Sequence, residues 1–231
     1  MATSPTTAHE RKVRVAVFDS SGFSVLEARL RRARLGMLVA IIGIVMIFIS
    51  LTSAYVVRQG LPTFDPRTGT LHRDWLHVPL PMLLVVNTVV LLISSVTMEL
   101  ARRQAGREVG TAGVTPINGA ATKADSRISW LALTIVLGLS FLAGQLIVWR
   151  ELGAEGFYLA TTPSSSFVYL LTGMHGVHLF GGIVALLVAA VASLLRRAPD
   201  FQYVALDVTG WYWHFVAVLW VYILCLLKFV N

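Results

Sequence analysis

The chain has 231 residues, of which 56% are hydrophobic and only 13% are charged. Ordinary soluble domains carry about twice that charged fraction, so the composition excludes a soluble globular protein and indicates an integral membrane protein. The net charge of +7 is confined largely to the segments between apolar runs, which argues against a nucleic-acid partner.

Five apolar runs each reach the roughly 20 residues that a helix needs to cross a bilayer. We place them at 34–57, 79–101, 128–149, 166–195 and 208–229. The predicted fold class is therefore all-α, a polytopic bundle of five transmembrane helices. Residues 34–231 form the predicted membrane domain, and residues 1–33 form a predicted cytoplasmic segment ahead of it.

The distribution of basic residues predicts the orientation of this bundle. Fourteen of the 19 Lys and Arg residues lie in 1–34, 102–127 and 196–197, and the other five lie in the alternate loops and ends. Because cytoplasmic loops carry the excess of positive charge, the N-terminus is predicted to be cytoplasmic and the C-terminus periplasmic. Cys225 is the single cysteine, which excludes an intrachain disulfide and a multi-cysteine metal site.

The N-terminal segment is polar and mixed up to residue 23, so a secretory signal peptide is not expected. Residues 24–27, Ser-Val-Leu-Glu, have the spacing of a capping box and predict the start of a helix. The arginines at 29–34 make that helix basic, as is typical of an interfacial segment that anchors to anionic lipid headgroups.

The second span contains two polar residues. Asn87 is expected to hydrogen-bond across to another helix. Glu99 lies about one turn from Arg102 and Arg103, which fits either an end charge that reaches toward water or a proton-accessible carboxylate. The Gly-, Ala- and Thr-rich segment at 104–126 predicts a flexible loop.

The third span carries Gln145 and Trp149, four residues apart on one helix face. The fourth begins with a polar signature at 172–178, Thr-Gly-Met-His-Gly-Val-His. On a helix, His175 and His178 lie about 60° apart on one face. Gly173 and Gly176 lie on the nearly opposite face, where they would allow a neighbouring backbone to come close. The two imidazoles fit hydrogen-bonded packing residues better than ligands, since metal sites need three or four donors.

In the fifth span Asp207, Trp211 and His214 form a polar stripe along one helix face, and Trp213 lies on the opposite face. The stripe fits an interfacial acid and a buried packing histidine, or alternatively a proton relay. Asp207 and His214 are two turns apart, about 10 Å along the axis, so each needs a partner from another helix. His178 and Gln145 are the expected polar partners.

The chain lacks the sequence patterns of an active site: a Gly-rich phosphate loop, a nucleophile triad, or paired carboxylates for acid–base catalysis. We therefore expect no catalytic residue, no metal site and no cofactor site in this chain.

Several of these motifs together resemble subunit III of the haem-copper (cytochrome c) oxidases. The signature at 172–178 and the Trp-Tyr-Trp-His-Phe-Val stretch at 211–216 are nearly identical to those of the family. Weaker likenesses are Arg34-Leu35-Gly36-Met37, Asn87-Thr88, and Leu137-Gly138-Leu139 followed by Gln145 and Trp149. The resemblance extends from about residue 34 to residue 230 and implies the five-helix bacterial type.

The resemblance implies an accessory subunit of a respiratory terminal oxidase in the bacterial cytoplasmic (inner) membrane. Such a subunit binds no haem or copper, which belong to the partner subunits. It packs against catalytic subunit I and other oxidase subunits, holds phospholipids in a cleft, and supports proton supply during turnover. His175, His178, His214, Asp207, Trp211, Trp213, Gln145, Trp149, Asn87 and Glu99 would then be helix-packing or lipid-cleft residues.

Three departures from the family pattern limit what can be transferred. The buried glutamate of the family aligns with Ile44, and the aspartate after His-Phe-Val aligns with Ala217. The glutamate four residues before Trp-Tyr-Trp is present only as Asp207. Any role of the buried glutamate is therefore not assigned to this chain.

Two other functions remain open from the sequence. One is a subunit-III-like accessory protein of a nitric oxide reductase system, which the lost acids allow. The other is a stand-alone b-type cytochrome, in which His175 or His178 would ligate haem together with His214.

Overall fold

The computed structural model describes residues 6–65, 69–72, 75, 81–111, 120–159, 162–195 and 199–229. The helices are α1 (Thr6–Gly60), α2 (Leu83–Thr111), α3 (Ala120–Ala154), α4 (Pro163–Leu194) and α5 (Pro199–Phe229). Within the described residues, five helices are long and apolar enough to cross a membrane. This confirms the prediction of a five-helix, essentially all-α architecture.

The helices extend well beyond the apolar runs. α1 begins at Thr6 and passes through Ser24 without interruption, so the capping-box spacing at 24–27 does not start a helix. α2 continues to Thr111 and α3 begins at Ala120, so much of the loop predicted at 104–126 is helical. Residues such as Ala, Arg, Gln and Glu favour helix even where they are too polar for the membrane. Residues 112–119 lie outside the described part.

A capping box that the sequence pattern did not single out starts α4. The side chain of Thr162 accepts from the backbone N–H of Ser165 at 3.2 Å, and the Ser165 hydroxyl accepts from the backbone N–H of Thr162. Pro163 follows the cap, where a missing N–H costs no helical hydrogen bond.

One small departure from an all-helical chain lies between α1 and α2. Strand β1 (Thr63–Asp65) pairs antiparallel with strand β2 (Thr70–His72), with Thr63 opposite His72. Gly69 precedes β2 with a φ of 66°, a left-handed conformation that glycine adopts without strain.

The five helices do not contribute equally to the core. α2 packs against α3 and α5, and α4 packs against the same two helices from the other side. α1 lies against α4 and α5. Its most apolar window is only 11% buried within the chain, whereas the windows of the other helices are 33–39% buried. α1 is therefore a peripheral helix on a four-helix core.

Two tryptophans of α5 fill the centre of that core. Trp213 is fully buried, and its ring faces Gly138 of α3 and Gly182 of α4, where an added Cβ would lie 2.8 Å and 3.1 Å from the ring. Its Nε1 donates to the Ser94 hydroxyl on α2 at 3.0 Å. Trp220, also buried, donates to the Thr88 hydroxyl at 2.9 Å. Both indoles thus pack against apolar neighbours while their N–H groups are bonded, as buried Trp requires.

Candidate functional site

Arginine and acidic side chains of α1, α2 and α5 meet, together with one histidine, at one end of the bundle, which we call the basic end. This cluster contains Arg34, Glu99, Arg102, Arg103, Asp207 and His214. The alternating direction of the helices brings it together, because the apolar runs of α1 and α5 begin at this level and the apolar run of α2 ends there.

Asp207 is the centre of the cluster, with only 1% of its side chain exposed. Arg34 of α1 donates to it through Nε at 2.8 Å and Nη2 at 3.1 Å, in the two-pronged geometry that Arg forms with carboxylates. Arg102 of α2 donates through Nη1 at 3.1 Å. One buried carboxylate therefore joins three helices.

The Arg34 guanidinium also lies over the Trp211 ring, 6.0 Å from its centroid. Trp211 is one turn after Asp207, so the acid and the ring hold the same arginine from α5. The neighbouring Gly210 makes room for Arg102, because a Cβ there would lie 3.0 Å from Arg102 Cδ. Arg34 thus contributes an ion pair and a cation–π contact to the docking of α1.

Glu99 forms a second ionic centre beside the first. Arg102 donates to it at 2.8 and 3.1 Å, and Arg103 donates at 2.8 Å. The pairing with both arginines fits the interpretation of Glu99 as an ion-paired end charge. Arg102 bridges Glu99 and Asp207, so the two acids belong to one network.

His214 joins the same network from α5. Its Nε2 lies 3.4 Å from Glu99 Oε2, and its Nδ1 lies 2.5 Å from the Ser95 hydroxyl. The predicted partners of the polar stripe, His178 and Gln145, are wrong: Asp207 meets Arg34 and Arg102, and His214 meets Ser95 and Glu99. The spacing correctly predicted that these residues share one face of α5. It could not predict which other helices that face contacts.

The contacts run in the order Ser95, His214, Glu99, which resembles the nucleophile, base and acid of a catalytic triad. The surroundings of these side chains do not support acyl transfer. Ser95 lies in the interior of α2, where backbone N–H groups are used by the helix and cannot form an oxyanion hole. Glu99 is already bonded to two arginines and cannot serve His214 alone. The arrangement ties α5 to α2 and is not built as an acyl-transfer centre.

A cavity of about 990 Å³ lies beside this network, between α1 and α5. Its polar wall is formed by Glu27, Arg31, Arg34, Arg102, Trp211 and His214. Its apolar wall is formed by Leu30, Leu35, Met37, Leu38, Ile41, Val208, Phe215 and Val218. The cavity thus combines cationic groups at the basic end with a long aliphatic surface, which is the chemistry of an amphiphile with an anionic head.

The two histidines of α4 have different environments. His175 is fully buried between the rings of Phe141 and Trp220, with centroids 5.7 and 4.9 Å away. Neither of its ring nitrogens has a partner among the described residues, so the predicted hydrogen bond of this packing residue is not made directly to the described part of the chain. His178 is a hydrogen-bonded packing residue, as predicted. Its Nδ1 lies 2.7 Å from the carbonyl oxygen of Met174, and its ring packs on Phe48 of α1.

The polar residues of α2 and α3 lie in the same core. Trp149 Nε1 donates to the Thr172 hydroxyl at 3.1 Å, which links α3 to α4. Asn87 and Gln145 are buried, but Asn87 Nδ2 and Gln145 Oε1 have no partner among the described residues. Asn87 therefore packs against α3 without the hydrogen bond expected of that group.

The helices approach each other closely at glycines other than Gly173 and Gly176. A Cβ at Gly173 would meet only the Trp149 ring at an ordinary 3.6 Å, and a Cβ at Gly176 would meet nothing within 4 Å. At Gly144, in contrast, a Cβ would lie 2.2 Å from Asn87 Oδ1. The close backbone approach predicted for the 172–178 signature is thus not found within the described residues: Gly173 faces the Trp149 ring and Gly176 has no neighbour.

Ile44 and Ala217 occupy apolar surroundings. Ile44 is partly buried against the core, and Ala217 is buried within α5. At both sites where the family pattern has acids, this chain thus has a hydrophobic side chain packed in the core of the described residues.

In the part of the chain that the structure describes, the side chains suited to ligate a metal or haem do not converge. The described residues contain no group of three or more His, Cys, Asp or Glu side chains that could hold a metal ion. His175 faces Trp220 and Phe141, whereas His214 faces Ser95 and Glu99. These separate environments do not fit the paired axial ligands of a b-type haem.

Comparison with known proteins agrees with the architecture. A family model described as cytochrome c oxidase subunit III matches residues 27–230. The probable cytochrome c oxidase subunit 3 of Mycobacterium tuberculosis is 32% identical over 102 residues, which are 44% of this chain and 50% of that protein. The corresponding protein of Nocardia farcinica is 30% identical over the same shares. The cytochrome c oxidase subunit 3 of Danio rerio is 31% identical over 195 residues, covering 82% of this chain and 66% of that protein.

The match thus spans about half the length of the actinobacterial relatives. The family model, in contrast, covers all five membrane-spanning segments except the first two residues of α1's apolar span, together with the basic-end network and the cavity. With that coverage, the chain belongs to the cytochrome c oxidase subunit III family.

Proposed function

We propose that this chain is the accessory, cofactor-free subunit III of a respiratory haem-copper terminal oxidase. The observation that carries the proposal is the family match over 27–230, together with a helical bundle whose polar residues tie helices together. In this role the chain packs against the catalytic subunit and supports its assembly and proton supply, while haem and copper reside in the partner subunits.

The proposed orientation has the N-terminus in the cytoplasm and the C-terminus in the periplasm of a bacterial inner membrane. The charge distribution supports it, because the basic end carries most of the Lys and Arg residues. In this orientation residues 1–33 form a cytoplasmic segment and the Glu99–Asp207 network lies near the cytoplasmic interface.

A phospholipid is the proposed occupant of the cavity between α1 and α5. Arg31 and Arg34 would meet the phosphate at the interface, where each cation contributes about 1 kcal/mol toward an anionic surface. The aliphatic wall would cover an acyl chain. Held in this way, lipid would fill the gap that the peripheral position of α1 leaves on the bundle.

Copurification tests the assignment. A tagged chain is purified from native membranes, its partners are identified, and an absorption spectrum is recorded for the complex and for the isolated chain. We expect a haem-copper oxidase catalytic subunit in the complex and no haem in the isolated chain. A nitric oxide reductase catalytic subunit as the partner, or a stoichiometric haem in the isolated chain, would overturn the proposal.

A further inference from the structure

Four of the buried polar atoms that have no hydrogen-bond partner among the described residues belong to three side chains of α2, α3 and α4. They are Nδ2 of Asn87, Oε1 of Gln145, and both ring nitrogens of His175. All three side chains are buried, so the lipid phase and the aqueous phase cannot supply the missing bonds from outside. In the membrane interior each such atom costs several kcal/mol if it is left unpaired.

Asn87 and Gln145 lie at the same level of the bundle. The Asn87 amide presses on the backbone of Gly144, where a Cβ would lie only 2.2 Å from its Oδ1. Gln145 is the next residue of α3. The close packing at Gly144 keeps the Asn87 amide inside the α2–α3 interface, so it cannot turn toward lipid.

His175 reaches this level from α4. It packs edge-on against Phe141, which precedes Gln145 by one turn on the same face of α3, and it lies 4.9 Å from the Trp220 ring of α5. Trp220 in turn donates to Thr88, the neighbour of Asn87. The three unsatisfied side chains therefore surround the junction where α2, α3, α4 and α5 meet.

The free atoms are complementary to water. Asn87 Nδ2 is a donor and Gln145 Oε1 is an acceptor, while a neutral imidazole offers one donor and one acceptor. The three side chains thus present two donors and two acceptors without an ionised group. A buried water accepts and donates in the same numbers and characteristically makes two to four such bonds. A metal cation does not fit, since no carboxylate or thiolate belongs to the group.

We propose that Asn87, Gln145 and His175 form an internal hydration site, in which one or two ordered waters bond the four atoms. The site makes the junction of the four core helices a water-mediated polar contact. It does not depend on the oxidase assignment, because it rests only on contacts within this chain.

A structure of the chain in its native assembly, at a resolution that shows ordered water, tests the site directly. We expect density within hydrogen-bond distance of a His175 ring nitrogen and of Asn87 or Gln145. A direct amide–amide bond between Asn87 and Gln145 with no density at His175, while waters are resolved elsewhere in the core, would overturn the proposal.

Thermal unfolding of variants provides a second test. With a shared water, His175→Phe should lower Tm by about 3 °C or more, since the water loses a partner and the two amides lose the water. The losses in His175→Phe and Gln145→Met should be less than additive in the double variant, because the same water is lost in both. If the site is dry, removing the imidazole removes two unpaired atoms and Tm rises.

Ser193→Ala is the matched control for these variants. Ser193 is buried on α4 like His175, but its hydroxyl already donates to the Ala189 carbonyl of the same helix at 3.0 Å. We expect little change in Tm for this variant. A rise in Tm for His175→Phe, or fully additive losses in the double variant, would contradict the hydration site.

Discussion

At the scale of single residues, Asp207 has the most demanding environment in the described part of the chain. It is buried, it carries two arginines from different helices, and it lies two turns inside α5. A buried carboxylate is tolerated only when it is paired and hydrogen-bonded, and both conditions are met here. The aspartate therefore specifies how α1, α2 and α5 fit together at the basic end.

Substitution Asp207→Asn should lower the free energy of unfolding by about 2 kcal/mol, because charged hydrogen bonds to both arginines are lost. Thermal or denaturant unfolding of the purified chain in detergent measures the change. Asp207→Glu keeps the charge and should lose less. Glu155→Gln, at an exposed acid in the turn after α3, should leave stability unchanged. Equal stability of Asp207→Asn and the native chain would show that the ion pairs contribute nothing.

For His214 we expect a structural effect and not a catalytic one. His214→Leu loses the contacts with Ser95 and Glu99, so less of this subunit should copurify with the catalytic subunit, while oxygen consumption per catalytic haem stays near its native value. Ser95→Ala removes one of the two contacts and should give a smaller loss. Full retention of the subunit with greatly reduced initial turnover would contradict a packing role and favour a proton relay.

Sequence reasoning found the right residues of the stripe but the wrong partners. The spacing of Asp207, Trp211 and His214 fixes their common face, because helix geometry is local. The partner of each depends on which helices pack together, and spacing within α5 does not contain that information. The basic pattern at 29–34 predicts only a headgroup anchor for Arg34. Arg34 and Asp207 both lie near the beginning of an apolar run, in two helices that run in the same direction, and this is the signal for the ion pair.

At the scale of the elements, glycine positions determine how closely the helices pack. Gly144 lets α3 meet Asn87 of α2, whereas Gly176 faces open space. The sequence pattern favoured Gly176 because it belongs to a conspicuous signature, but a glycine matters for packing only where a neighbour approaches. Helix ends were equally hard to predict, since polar residues that end a membrane span do not end a helix.

Gly144→Ala should therefore destabilise the bundle by about 1–3 kcal/mol, the usual cost of overpacking a core. Gly176→Ala is the matched control, and it should be neutral or stabilise by up to about 1 kcal/mol through the higher helix propensity of alanine. Unfolding measurements on the two variants make the comparison. A greater loss for Gly176→Ala would mean that another subunit packs on that face of α4.

At the scale of the whole molecule, the charge distribution predicts one orientation in the membrane. With Cys225 replaced by serine, a cysteine introduced at position 112 should resist a membrane-impermeant thiol reagent applied to the periplasmic side. A cysteine at Glu155, between α3 and α4 at the opposite end of the bundle, should react readily. The reverse pattern of labelling would invert the orientation.

The double pairing of Asp207 also sets the cost of separating α1 from the rest of the bundle. If Arg34 leaves, Asp207 keeps Arg102, so no bare carboxylate remains in the core. Arg34 itself is 46% exposed within the chain, so part of its side chain is already outside protein contacts. The ionic part of the separation is therefore the loss of one of two ion pairs at a carboxylate that stays paired. α1 is thus joined to the bundle through the outer of two ion pairs at one carboxylate, and the charges of the four-helix core are balanced without it.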